Sequence, residues 1–212
     1  PLSPGNVRYS CPPTEAACLN ATPPAGADVT VCSSGCDYTN TTANITSAIG
    51  AIANGGIIEL RTATPGGSET WTAQIKCSGV NGASGSEKQI RVREGDHITL
   101  RTTTTGKEGL IDFNACDYWI LKAQSSGRTA LIVGDGADWN ATCGQTLTCY
   151  PQKRALNIVA SDHIWISNMT FAGGNDYDGS LVDRASSYIA ISDSKFEWQG
   201  SNNREPQTGN TD

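Results

Sequence analysis

The sequence predicts an all-β chain, a single-stranded parallel β-helix opened by an N-terminal capping α-helix, and three observations carry that expectation. Apolar triplets repeat in register: Leu156, Ile164 and Ile166 recur as Leu181, Ile189 and Ile191, each moved on by 25 residues. The same internal gaps of 8 and 2 recur in Ile111, Trp119 and Leu121, and in Ile90, Ile98 and Leu100. A unit that repeats at this period buries its apolar face only by stacking on its neighbours, which marks a solenoid. The members two apart, such as Ile164 and Ile166, have strand period rather than helix period. Short polar corners separate the apolar positions and suit sharp bends.

Taken in order, residues 1–27 hold Pro1, Pro4, Pro12, Pro13, Pro23 and Pro24 without any period and read as an arm. Thr42 to Ala53 places Ile45, Ala48, Ile49 and Ile52 on one helical face and stops at Asn54-Gly55-Gly56. An open solenoid end exposes apolar core and strand edges, so this helix is expected to cover the first coil. The corners Glu94-Gly95-Asp96, Ala115-Cys116-Asp117, Ala160-Ser161-Asp162 and Ala185-Ser186-Ser187 are placed between the first and second strands of successive coils. His97 and His163 then occupy equivalent corner positions. A further bend at Ser167-Asn168 and Ser192-Asp193 leads to Phe171 and Phe196, which are expected to stack. The longer step before Leu156 implies an insertion of about 20 residues, from about Gly134 to Arg154, in a loop between coils. The β-helix domain is thus expected over 28–200, with 201–212 a polar tail.

The run Cys36-Asp37-Tyr38-Thr39, the helix, Asn54-Gly55-Gly56 and the strand Ile57-Ile58-Glu59-Leu60 resemble the entry of the right-handed parallel β-helix proteins of the pectate-lyase-like superfamily. The resemblance covers roughly residues 28–200 and implies a right-handed helix. It leaves the activity open, because that superfamily includes polysaccharide lyases, glycoside hydrolases, adhesins, phage tailspikes and passive structural proteins.

Length, 23 glycines, a single methionine and a net charge of −6 suit one extracellular domain. A basic nucleic-acid footprint is absent, and no apolar run approaches the 18 or so residues that span a bilayer. Pro1 in place of Met points to a processed or excised chain. Cys11, Cys18, Cys32, Cys36, Cys77, Cys116, Cys143 and Cys149 lack paired Cys-x-x-Cys spacing and come with two histidines, so disulfides are expected rather than zinc, in an oxidising compartment. Pairings of Cys143 with Cys149 and of Cys11 with Cys18 would close short loops. Acceptor sequons at Asn20, Asn40, Asn44, Asn140 and Asn168 support export to the cell exterior or surface. Asn140 is favoured by its place in the insertion, whereas for Asn168 the resemblance implies the alternative of a bend asparagine that bonds neighbouring coils and, if buried, carries no glycan.

Residues between the inward triplets point outward. One such column reads Thr99, Ile120, Trp165 and Ala190, and the next reads Arg101, Lys122, Ser167 and Ser192. Arg101 and Lys122 could contact acidic sugars and Trp165 could stack on a sugar ring, with a solvated or covered surface as the competing reading. A lyase needs a cation or Arg to neutralise a uronate and a base to take its proton. Asp183, Arg184, Asp193 and Lys195 are the candidates for those parts. Asp176 and Asp178 are oxygen ligands suited to calcium, against a plain turn-forming role, and no other cofactor is expected. Where many enzymes of the resembling family carry an Asp-His pair, this chain has Ser167-Asn168. The reading that best fits these residues is a secreted, glycosylated structural or adhesive protein. Self-association through arm and tail, end to end into a filament, is its expected form of assembly. A polysaccharide lyase or hydrolase and a non-catalytic carbohydrate-binding surface are the alternatives.

Overall fold

The computed structural model describes residues 26–101, 109–123, 130–134, 154–172, 180–182 and 185–197. Along the chain come β1 (Val29–Cys32), β2 (Tyr38–Thr39), α1 (Thr42–Ala51), β3 (Ile57–Leu60), β4 (Ser68–Thr72) and β5 (Ile75–Ser78). Next are β6 (Lys88–Val92), β7 (His97–Arg101), β8 (Gly109–Asn114), β9 (Trp119–Ala123), β10 (Leu131–Val133) and β11 (Arg154–Val159). Last come β12 (Asp162–Ser167), β13 (Thr170–Ala172), β14 (Ser180–Val182), β15 (Ser187–Ser192) and β16 (Lys195–Glu197). The arm up to residue 25, most of the insertion between β10 and β11, and the 201–212 tail lie outside the described residues. So do Cys11, Cys18, Cys143 and Cys149.

The architecture is all-β with parallel sheets and one short helix among the described residues. Sheet A runs β15-β12-β9-β6-β3-β1-β2, sheet B runs β16-β13-β10-β7-β4, and sheet C runs β14-β11-β8-β5. From β3 onward the chain visits A, B and C in rotation, so each strand pairs with the strand three places later. Alternation then sends every second side chain into the space between the sheets. One buried cluster extends from Val31, Ile45 and Ile49 to Met169 and Phe171, with Ile189 and Ile191 packed against its last layer.

Helix α1 forms where the sequence places it, with Ile45, Ala48, Ile49 and Ile52 all at most 5% exposed. Thr41 starts it by accepting the Asn44 N–H, and Ile52 ends it with extended backbone before Gly55 turns left-handed at φ 76°. The helix packs on β5, β2 and β1. Lys88, at the inward start of β6, reaches the same place: its ammonium donates to the Ile52 carbonyl at 2.8 Å and lies 5.9 Å from the Trp119 ring centroid. Burial lowers the Lys88 pKa. The unfolded lysine therefore holds its proton to higher pH, and stability should rise as pH climbs from the lowered value towards the ordinary one. Urea unfolding across the alkaline range should show this slope, and Lys88→Met should reduce it, leaving the part that the half-buried Lys122 contributes in the same sense.

The repeating triplets hold with two corrections. Ile111 pairs with Leu156, Trp119 with Ile164, and Leu121 with Ile166, which in turn pair with Ile189 and Ile191. The earliest triplet is displaced by one strand: Ile90 lies in sheet A opposite Leu121, while Ile98 and Leu100 lie in sheet B opposite Leu131 and Val133. Gaps of 8 and 2 fit any two consecutive strands around a corner, so they do not reveal which sheets are involved. Leu181 is the second correction, since it pairs with Asn157 and Leu156 pairs with Ser180.

Corners carry ladders of their own. Asn81, Asp117 and Asp162 each offer a side-chain oxygen to a backbone N–H one round later, on Asp117, Asp162 and Ser187 respectively. Ser161 and Ser186 work in the opposite sense, each hydroxyl accepting an N–H from the round before, on Cys116 and Ser161. Tyr118, His163 and Tyr188 stack with centroids 4.5 and 4.6 Å apart, all at positive φ. His163 is therefore equivalent to two tyrosines, and His97 opens β7 in another sheet. The expected Phe171–Phe196 stack is present at 4.8 Å. Among the described residues two disulfides close, Cys32 with Cys36 in the β1–β2 connection and Cys77 with Cys116 between neighbouring rounds of sheet C. At the opening edge of sheet A, Thr30 donates its hydroxyl and its N–H to Asp37, which holds the Asp37 carboxyl below the usual carboxylate range.

Candidate functional site

Parallel pairing in sheet A brings chemistry from distant sequence into one outward column: Glu59, Arg91, Lys122, Ser167 and Ser192. A second column, one strand period away, holds Ile57, Gln89, Ile120, Trp165 and Ala190. Lys122 and Trp165 are thus diagonal neighbours on adjacent strands, as the sequence leads one to expect. Arg101 is not with them. It sits in sheet B opposite Thr72, and Thr99 lies there too, opposite Thr70 and Ile132.

The residue that takes the expected place of Arg101 is Arg91, which the sequence reading missed. Its signal was available: Arg91 follows Ile90, and Lys122 follows Leu121, so the two cations are fixed as neighbours once Ile90 is matched to Leu121 instead of Ile111. Arg91 is 7% exposed and binds Glu59 through Nε at 2.8 Å and a terminal nitrogen at 2.7 Å. Glu59 also accepts from Arg61 Nε at 2.6 Å. A buried pair of this kind is costly to break, because the remaining charge is left without compensation. Lys122 is half-buried, and that burial lowers its pKa.

Trp165 is 4% exposed, and its indole N–H donates to Ser192 Oγ at 3.3 Å. Stacking on a sugar needs an open ring face, and the buried indole presents little of one. Ile120 beside it and Ile57 further along the same column are also buried. The Trp165 column is therefore packed as a covered surface, and in the neighbouring column the Arg91 charge is already paired with Glu59.

Of the carboxylates and bases proposed for lyase chemistry, Asp193 and Lys195 are described, and Asp183 and Arg184 lie outside the described residues. Asp193 is exposed at a corner with φ 49°, and Lys195 is exposed at the start of β16, opposite Thr170. Asp176 and Asp178 also fall outside. Among the described residues no group of three or more His, Cys, Asp or Glu side chains could hold a metal ion. No helix is long and apolar enough to cross a membrane, again among the described residues.

Side-chain roles at the sequons differ. Asn168 uses its amide nitrogen to reach the Ala123 carbonyl of the previous round at 2.9 Å. Asn44 turns its amide to Thr39 Oγ1, and Asn40 makes no hydrogen bond among the described residues. Asn20 and Asn140 lie outside them. In comparison with known proteins, no family model, no curated protein and no solved structure matches the chain.

Proposed function

We propose that the chain is a right-handed parallel β-helix of the pectate-lyase-like kind, exported, and serving as a structural or adhesive unit that associates end to end. The rotation of the chain through three parallel sheets supports the coil, and the corner ladders supply its rise. The contrast between its two ends carries the functional reading. At one end α1 lies over β1, β2 and β5 and buries Ile45, Ala48 and Ile49. At the other, β14, β15 and β16 are the edge strands of the three sheets among the described residues. There Tyr188 is 45% exposed and Phe196 54%, the large apolar side chains left open among the described residues.

Unpaired strands with apolar residues beside them are templates for further β-structure. Among the described residues both aromatic stacks end in an exposed ring on this face, so a second copy would continue the stacks as well as the sheets. The two disulfides suit an oxidising exterior. Sedimentation velocity at rising concentration should show mass action towards larger species. Phe196→Lys places a charge in the contact and should weaken association roughly tenfold or more, about 1.4 kcal/mol. A chain that stays monomeric at every concentration removes the association from this reading.

A further inference from the structure

We infer that Asn40 carries the N-linked glycan of the described part of the chain and that Asn168, although it sits in a sequon, stays bare in the folded protein. The inference rests on the reading of the protein as exported. Glycan transfer forms a bond between the asparagine Nδ2 and C1 of the first sugar. It breaks the bond from C1 to the diphosphate of a lipid-linked oligosaccharide, and Nδ2 gives up one proton. The product replaces one of the two Nδ2 hydrogens with a bulky polar group, so the folded site must leave that position open and can keep a partner only on the other hydrogen.

Asn168 does not. It occupies a corner at φ 61° between β12 and β13, and its Nδ2 faces the Ala123 carbonyl 2.9 Å away. Its own N–H donates to the Ser192 carbonyl at 3.2 Å, so the residue is held between the rounds before and after it. Ser167 and Met169 on either side are 3% and 0% exposed, and Ala123 is 0% exposed. Glycosylated Nδ2 keeps one hydrogen, so with that hydrogen on the Ala123 carbonyl the sugar would have to leave from the other position, beside the buried Ser167 and Met169, in a residue held by the rounds on both sides.

Asn40 has the same intermediate exposure as Asn168 but differs in its bonding. It lies in the turn between β2 and α1, half-exposed, with no hydrogen bond to its amide among the described residues. The buried face of α1 is made by Ile45, Ala48 and Ile49, so a glycan at Asn40 displaces none of the packing. Asn44 is one helical turn further on, and its amide points back to Thr39 Oγ1, a contact that a substituent on the same nitrogen would crowd.

The test is to secrete the whole chain from a eukaryotic host, remove N-glycans enzymatically in heavy-oxygen water, and map the labelled aspartates in the soluble, folded product. Label is expected at position 40 and not at 168. Asn40→Gln should remove one glycan's mass and leave the unfolding midpoint in place. Asn168→Gln should leave the glycan mass alone and lower the midpoint. A glycan on Asn168 in folded protein, or a bare Asn40 in chain that is secreted with its disulfides closed, overturns the inference. Chain that reaches the medium only with free thiols overturns the exported reading on which it rests.

Discussion

Asp96→Ala should cost the fold about 3–5 kcal/mol, read as a fall in the urea midpoint at unchanged slope. Asp96 is 0% exposed and is the shared acceptor for two rounds of the chain. One carboxylate oxygen takes the Thr62 N–H at 2.8 Å and Arg93 Nε at 2.9 Å; the other takes the Gly66 N–H at 2.8 Å and a terminal Arg93 nitrogen at 3.2 Å. Removing it strands two backbone donors and a guanidinium, and unmade bonds to buried groups cost more than made ones contribute. Asp96→Asn keeps the size but loses the charge and half of the accepting capacity, so it should fall between wild type and alanine. If both substitutions leave the midpoint where it was, the connection from Arg61 to Gly67 is held by something other than this side chain.

Joint replacement of Cys77 and Cys116 with alanine is expected to cost about 4 kcal/mol, since the bridge closes a loop with a sequence separation of 39. Both residues are 0% exposed, so the lost sulfurs also leave room in the core, and the true loss should exceed the loop term. The same change at Cys32 and Cys36, separated by 4, should cost about 2 kcal/mol. Thermal or urea unfolding of the two double variants gives the comparison directly. Equal losses would show that the long bridge adds nothing to what stacking already fixes. The position of Cys77 makes that improbable: it pairs in register with Phe113, whose ring meets Trp119 at 6.1 Å, so the sulfur lies inside the apolar column.

Much of the fold was legible because parallel pairing copies one-dimensional period into space. Ile164 above Trp119 and below Ile189 follows from counting residues, as does Phe171 on Phe196. The cap helix was legible for a related reason, its buried face being a helical stripe closed by an Asn-Gly-Gly stop. What counting could not supply was phase. Corner steps vary, from 36 residues between Asn81 and Asp117 to 45 between Asp117 and Asp162 and 25 between Asp162 and Ser187. A triplet such as Ile90, Ile98 and Leu100 therefore matched its template while sitting one strand out of place. That slip carried Arg101 into the wrong column and hid Arg91. The fate of Trp165 was illegible for a different reason. Alternation says that its side chain leaves the core, but whether another part of the chain then covers it depends on contacts with no period at all.

Those unequal steps run between corners that are bonded alike. The protein keeps its ruler in a few side chains, Asn81, Asp117, Asp162 and Ser187, and leaves the length of chain between marks unconstrained. Connections of 25, 36 and 45 residues all deliver the chain to the same kind of mark. Extra length is taken up as surface, while the corners beneath it stay in alignment.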